Sequence, residues 1–299
     1  MMQWFQRRCP VVVLLCLPLG GCKPAAPAVA SPVEPNPLVS DASLEKNVAN
    51  AIGMKLNLIP AGKFLMGSPK DEKDRAVDEG PQHEVEITRP FYMGVYPVTK
   101  GQFAAFVKDD GYQTQNEKSK LGPPFGPWQH PFAGYEPKDD DPVVCLSWNE
   151  ATKFCEWLSK KEKKTYQLPT EAQWEYACRA ATTTAYSFGD DPKDLGDYSW
   201  FFDNSGQHTQ PVGGKKPNPW GLYDMHSDVF QWCADYYAKD FYEKSPGKDP
   251  HNLDKADNRV VRGGCWHAVA RLCRSANRNW AKPDLSTYDY GFRVVMIPD

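Results

Sequence analysis

Three times in this chain a hydroxyl residue is followed, three positions on, by Gln or Glu and then by a short apolar run. Thr99…Gln102 leads into the run 103–107, Ser147…Glu150 into 151–158, and Thr170…Gln173 into 174–178. In such a capping box the hydroxyl accepts from the third helical N–H, and the Gln or Glu side chain reaches back to the N-cap N–H. In the second run Ala151, Phe154, Cys155 and Leu158 recur at i, i+3, i+4 and i+7, on one face of a helix. Lys160-Lys-Glu-Lys-Lys164 reads as that helix's solvated end, where cations suit the dipole. Little helical periodicity appears elsewhere, so most of the chain must fold as strands, turns and loops.

The strand signals are concentrated early. Leu58-Ile-Pro-Ala-Gly-Lys-Phe-Leu-Met-Gly67 and His83-Glu-Val-Glu-Ile-Thr88 suit a hairpin with the charged insert 69–80 as its loop, and 91–98 reads as a third strand. Beyond residue 182 turns dominate, with Pro217-Asn-Pro-Trp-Gly221 as one cluster. Ten tryptophans supply aromatic pins for such a body. No internal repeat, Gly-rich phosphate loop, H-E-x-x-H or G-x-S-x-G is present.

The N-terminus reads as an address. Arg7 and Arg8 precede the apolar segment 11–17, which is far shorter than the roughly 20 residues a membrane span needs. The segment ends in Leu19-Gly-Gly-Cys22, which resembles the lipobox of bacterial lipoproteins. That resemblance implies cleavage before Cys22, a lipid on its sulfur and attachment to the membrane of a bacterial cell envelope. A Pro/Ala-rich stretch, 24–37, then forms an extended tether. The expected division is a signal peptide over 1–21, a lipidated cysteine and linker over 22–50, and one domain over 51–299. Loss of 1–21 removes two of 35 basic residues and none of 38 acidic ones, leaving a balance of −5. No basic block suits nucleic acid. Six cysteines remain in the domain: Cys145, Cys155, Cys178, Cys233, Cys265 and Cys273. Export makes pairing one reading and free buried thiols the other.

Seven blocks in one order carry a family resemblance. They are 59–68, 97–103, 142–151, Leu168-Pro-Thr-Glu-Ala-Gln-Trp-Glu-Tyr-Ala-Cys-Arg179, 204–213, 218–225, and a terminal run from Arg259-Val-Val-Arg-Gly-Gly-Cys-Trp-His267 to Tyr290-Gly-Phe-Arg293. Together they resemble the formylglycine-generating enzyme (sulfatase-modifying factor) family. The implied fold is α+β, an irregular, loop-rich body related to C-type lectins with few helices and short antiparallel strands.

In the active enzymes of that family two cysteines, spaced C-x4-C in the terminal run, bind copper linearly and oxidise a substrate cysteine to formylglycine. Here Cys265 and Cys273 are spaced C-x7-C. Counted forward from Gly263-Gly264, the first family cysteine falls on Ala268 and the second on Cys273. Counted back from Ser275-Ala-Asn-Arg278, the chain is three residues shorter and Cys273 falls where the family has no copper ligand, so either way the first ligand is missing. Cys265 stands where a serine is usual. Cys265, Cys273 and His267 are the candidates for a rebuilt centre, since imidazole also takes copper. A disulfide from Cys265 to Cys273, or from either to Cys178, is the competing arrangement. The resemblance also implies calcium, at Ser227, Asp228, Val229 and Gln231 in one place and from Asn204 and Ser205 in another. Gln231 replaces the acidic ligand with a neutral amide oxygen. Trp266, Arg274, Arg278 and Trp280 are candidates to line the groove that takes peptide in the enzymes; Arg293 reads as structural.

The expectation is a lipid-anchored family member that lacks the usual copper pair and serves as a binding or accessory module for a peptide or protein. The alternative is a metal-dependent oxidoreductase acting on cysteine or another small target through Cys265 and Cys273. A hydrolase finds no Ser/His/Asp pattern to support it.

Overall fold

The computed structural model describes residues 44–298 apart from residue 121. The signal segment, Cys22 and the Pro/Ala-rich tether lie outside the described residues. Eleven short strands are named in chain order: β1 (Asn47–Ala49), β2 (Lys55–Ile59), β3 (Gly62–Met66), β4 (His83–Ile87), β5 (Phe91–Gly94), β6 (Thr165–Gln167), β7 (Phe230–Tyr236), β8 (Arg259–Arg262), β9 (Asn279–Ala281), β10 (Tyr290–Phe292) and β11 (Val295–Ile297). They form a five-stranded sheet, β1-β2-β5-β11-β6, a four-stranded sheet, β10-β7-β8-β9, and the pair β3-β4. All named pairings are antiparallel except β10 with β7. β1 falls within 22–50, the stretch expected as linker, and pairs with β2.

The run 58–67, expected as one strand, divides at Pro60. Its first part closes β2, which pairs with β5; its second is β3, which pairs with β4 in the register Gly62↔Ile87 to Met66↔His83. Proline has no N–H for a ladder, so the chain changes sheets where the donor is missing. The hairpin itself and its long charged loop are as expected.

Six helices accompany the sheets: α1 (Lys100–Asp110), α2 (Gln115–Ser119), α3 (Trp148–Glu162), α4 (Glu171–Arg179), α5 (Leu195–Tyr198) and α6 (Phe241–Lys244). The three expected capping boxes are formed at Thr99, Ser147 and Thr170. At Thr170, for example, Gln173 N–H donates to Oγ1 at 3.1 Å and Thr170 N–H donates to Gln173 Oε1 at 3.0 Å. Helix α2 uses the same device, Thr114 with Glu117. The sequence reading missed it because the residues that follow, Gln-Asn-Glu-Lys-Ser, contain no apolar run.

Ala151, Phe154, Cys155 and Leu158 are all buried, as their spacing requires. Phe154 meets Phe103 and Phe106 of α1 at ring separations of 6.1 and 5.9 Å. Helix α4 is almost wholly buried and carries Trp174, Tyr176 and Cys178 into a second apolar cluster. The six domain cysteines are free, buried thiols. No helix among the described residues is long and apolar enough to cross a membrane.

Candidate functional site

Strand β8 runs into Gly263 and Gly264, at φ +97° and +78°. A Cβ on Gly264 would stand 2.9 Å from Cys273 Sγ, so the turn and the segment carrying Cys273 are packed as closely as glycine allows. The turn that follows is held from inside. Ser227 Oγ donates to the Cys265 carbonyl at 2.7 Å, Trp266 N–H to the Asp228 carbonyl at 2.8 Å, and Ala268 N–H to the Cys265 carbonyl at 2.8 Å.

Three ligating atoms meet here. Those of Cys265, His267 and Asp289 all lie within 4.8 Å of one another. His267 Nε2 is 3.2 Å from Asp289 Oδ2, and the His267 side chain is 41% exposed. The sequence reading paired Cys265 and His267 with Cys273; the third member of this compact group is Asp289. Asp289 lies two residues before Gly291 in the terminal block, but nothing in its spacing links it to a turn more than 20 residues earlier.

Burial pushes Cys265 well above the usual thiol range and Cys273 up to about 12. Cys273 Sγ donates to the Val269 carbonyl at 3.6 Å. Ala268, buried beside them, offers no ligand. The ligating group gathered at the turn holds one thiol, where a linear copper site takes two. Behind Cys273 sits His226, whose Nε2 is 3.0 Å from Ser187 N and whose Nδ1 is 2.9 Å from the Cys273 carbonyl. A backbone N–H can only donate, so Nε2 accepts and Nδ1 carries the proton. Burial lowers this imidazole to about 4, and it stays neutral.

A second polar centre lies under the same turn. Asp228 is fully buried at φ +87°, with Oδ1 accepting from Gln210 N–H at 3.2 Å and Oδ2 without a partner. Asp224 and Asp141 each also keep one buried oxygen unpartnered. Burial, then repulsion from Asp224, pushes Asp228 far above the carboxylate range; burial lifts Asp224 to about 6. Unpartnered carboxylate oxygens are what a hard cation takes, so calcium fits at Asp228 with Asp224 nearby. The polar side chains of the other expected ligands carry hydrogen bonds within the protein. Gln231 Oε1 accepts from Trp174 Nε1 at 2.9 Å and Arg293 Nε at 3.1 Å, and its Nε2 donates to the Asp224 carbonyl. Asn204 Oδ1 accepts from Phe201 N–H, Ser205 Oγ from Gln207 N–H, and the Ser227 hydroxyl is spent on Cys265. Val229 is buried at the entry to β7.

The arginines form a third arrangement. Arg278 holds Glu171 with two bonds, at 2.7 and 2.9 Å, and lies over the Tyr242 ring. Arg262 joins Glu171 to Glu175, at 2.8 and 2.6 Å, and Glu175 also takes Arg179. Arg274 is bound by Glu79 at 2.6 and 2.8 Å and by Glu72. It lines a cleft of about 430 Å³ with Glu72, Asp74, Tyr186, Asp190 and Arg271, yet its guanidinium is turned to internal partners. Trp266 is buried against Phe132 and Tyr288. Of the four groove candidates, Trp280 alone is exposed, at 44%, stacked on Tyr237.

Fold and site together define a loop-rich α+β domain whose terminal turn gathers thiols, an imidazole and buried carboxylates. The chain belongs to the family described as the sulfatase-modifying factor enzyme 1-like domain, which matches residues 43–297. It is 31% identical to a formylglycine-generating enzyme of Streptomyces coelicolor, over 92% of this chain and 96% of that one. It is 28% identical to a mouse protein named inactive C-alpha-formylglycine-generating enzyme 2, over 79% of this chain and 84% of that one. Among solved structures, PvdO from Pseudomonas aeruginosa is similar at a TM-score of 0.77 and 30% identity, covering 84% of this chain and 98% of its own.

Proposed function

We propose that this chain is an exported, lipid-anchored member of the family, tethered through Cys22 at the cell envelope of a bacterium, whose domain is a binding or accessory module. The observation that carries this reading is Ala268. A methyl group stands where the forward count from Gly263-Gly264 puts the first copper thiolate, and Cys265 is the one thiol in the group gathered at the turn. Oxidation of cysteine by bound copper needs two thiolates at close range. The inactive mouse relative supports the idea that the domain is kept where the activity is not.

The cleft beside Arg274 supports a peptide or protein ligand. With Glu72 and Arg274 paired, its remaining charges are Asp71, Asp74 and Asp190 against Lys73 and Arg271, a mildly acidic balance that favours a basic or neutral segment. Calcium at Asp228 would serve the fold, by tying loops whose carboxylates otherwise repel; its addition should raise the melting temperature of wild type and not of Asp228→Asn.

One observation favours a second reading, a metal-dependent oxidoreductase: the identity to a named formylglycine-generating enzyme extends along nearly the whole chain. The two readings separate in one assay. The chain is incubated with Cu(I), oxygen and a sulfatase-type cysteine peptide beside an active family enzyme, and peptide mass is followed. An unchanged peptide is expected; conversion to formylglycine would overturn the first reading and make Cys265, Cys273 and His267 the first residues to vary.

A further inference from the structure

The group at the terminal turn has a composition that neither copper pairing nor core packing accounts for. Cys265 and His267 come from one turn, two residues apart. Asp289 comes from the loop that leads into β10. Among the described residues no other set of three His, Cys, Asp or Glu side chains brings its ligating atoms within 4.8 Å of one another.

The spacing suits a metal. Four-coordinate zinc with bonds of about 2.0 Å to nitrogen or oxygen and about 2.3 Å to sulfur puts its ligand atoms roughly 3.3–3.7 Å apart. The His267–Asp289 separation, 3.2 Å, is already there, and 4.8 Å bounds the others. His267, 41% exposed, has room to turn toward the others.

The surroundings hold the ligands in place. Thr287 Oγ1 donates to Asp289 Oδ1, which leaves Oδ2 for His267. The Asp289 carbonyl accepts from Phe230 N–H at 2.9 Å, which fixes the loop to β7. Ser227 fixes the Cys265 carbonyl at 2.7 Å. The Trp266 ring meets the His267 ring edge-on at 4.7 Å and Tyr288 at 5.1 Å. Ligands steadied by such outer contacts are the usual construction of a metal centre. Three protein ligands with solvent reaching one of them leave a coordination position open, as in catalytic rather than structural zinc sites.

We propose that Cys265 Sγ, the His267 imidazole and Asp289 Oδ2 form an open, three-ligand site for a divalent metal of the zinc class. One sulfur, one nitrogen and one oxygen suit a borderline cation. They suit calcium poorly, because of the sulfur, and linear Cu(I) poorly, because there is only one thiolate. Cys273 is not part of the centre. The site does not depend on whether the domain makes formylglycine, so the peptide assay does not decide it.

Cobalt tests the site, because it occupies zinc positions and reports its ligands by colour. The reduced, metal-free chain is titrated with Co2+. One equivalent should bind, with a near-ultraviolet sulfur-to-cobalt charge-transfer band and the strong visible bands of four-coordination, and Zn2+ should displace it. Cys265→Ser should abolish the charge-transfer band, and Cys273→Ser should leave it intact. His267→Ala and Asp289→Asn should each weaken binding by more than the roughly 10–100-fold that loss of an outer partner costs. His267 is partly exposed, so its variant reads the site even if Cys265→Ser fails to fold. Absence of a charge-transfer band in wild type overturns the proposal. So does a band that depends on Cys273, or affinity unchanged in His267→Ala.

Discussion

Replacing Glu171 with Gln tests whether the buried arginines are the framework of this domain. Glu171 Oε1 accepts from Arg262 Nη1 at 2.8 Å, Arg278 Nε at 2.7 Å and Tyr242 Oη at 3.2 Å, while Oε2 takes Arg278 Nη2 at 2.9 Å. All three side chains of the ion cluster are buried. Burial alone would raise this carboxyl, but Arg278 and Arg262 more than offset it and hold the group below its usual range. Gln keeps the volume and one acceptor, removes the charge, and turns an NH2 toward a guanidinium. Arg262 keeps Glu175, but Arg278 loses the one carboxylate it pairs with among the described residues. Removing one partner of a buried pair costs about 3–5 kcal/mol, because the other charge stays uncompensated. At roughly 2–4 °C per kcal/mol for a domain of this size, the melting temperature should fall by roughly 6–20 °C. Thermal unfolding followed by near-ultraviolet circular dichroism measures it. In a cycle with Arg278→Met, the double variant should lose at least about 1 kcal/mol less than the sum of the singles. A drop under about 3 °C, or strict additivity, would refute the assignment and return Arg278 to the pool of groove residues.

Gly264→Ala meets both a left-handed backbone and Cys273 Sγ at 2.9 Å, whereas Gly53→Ala meets only the backbone penalty, with nothing within 4 Å; denaturant titration should show the first costing at least about 2 kcal/mol and the second about 1. Asp235, lifted by burial and then by the charge of Glu171 to about 7, keeps its proton in the fold while the unfolded chain loses it near pH 4. Its contribution to stability therefore falls, by about 1 kcal/mol per pH unit, as pH rises through that window. His226, lowered to about 4, acts with the opposite sign between pH 4 and its ordinary value. Asp235→Asn should remove the falling component, and stability curves of the two proteins that run parallel from pH 4 to 8 would refute it. Cys22→Ser should abolish fatty-acid labelling in the producing bacterium and move the chain out of the membrane fraction; retention of label would place the lipid elsewhere.

How much of this was legible depended on whether a signal was local. The capping boxes at Thr99, Ser147 and Thr170 could be read because cap, third residue and apolar run sit within a few positions of one another. The same cap at Thr114 was overlooked because the reading demanded the apolar run as well, and α2 is a short helix with a polar sequence. The strand run 58–67 was legible as extended chain, but not as two strands in two sheets. Alternation gives the faces of a strand, not its partner, and only the missing N–H of Pro60 marked where the sheets part.

The site was less legible because its geometry is made by packing across long separations. Counting from Gly263-Gly264 located the turn, and the expected Cys265 and His267 stand together in it. The same counting put Cys273 in their company and left out Asp289, which reaches the turn because β10 runs parallel to β7 and Phe230 N–H holds the Asp289 carbonyl. Gln231 followed similar logic. A motif position suggested a calcium ligand, yet three buried groups, Trp174, Arg293 and the Asp224 carbonyl, already satisfy its amide. An amide there balances Arg293, a cation that burial depresses to about 10, without adding a carboxylate beside Asp224 and Asp228. The neighbouring carboxyl, Asp228, keeps one oxygen without a partner. In both places a side chain's neighbours come from segments far away in the sequence, and a motif read position by position cannot register them.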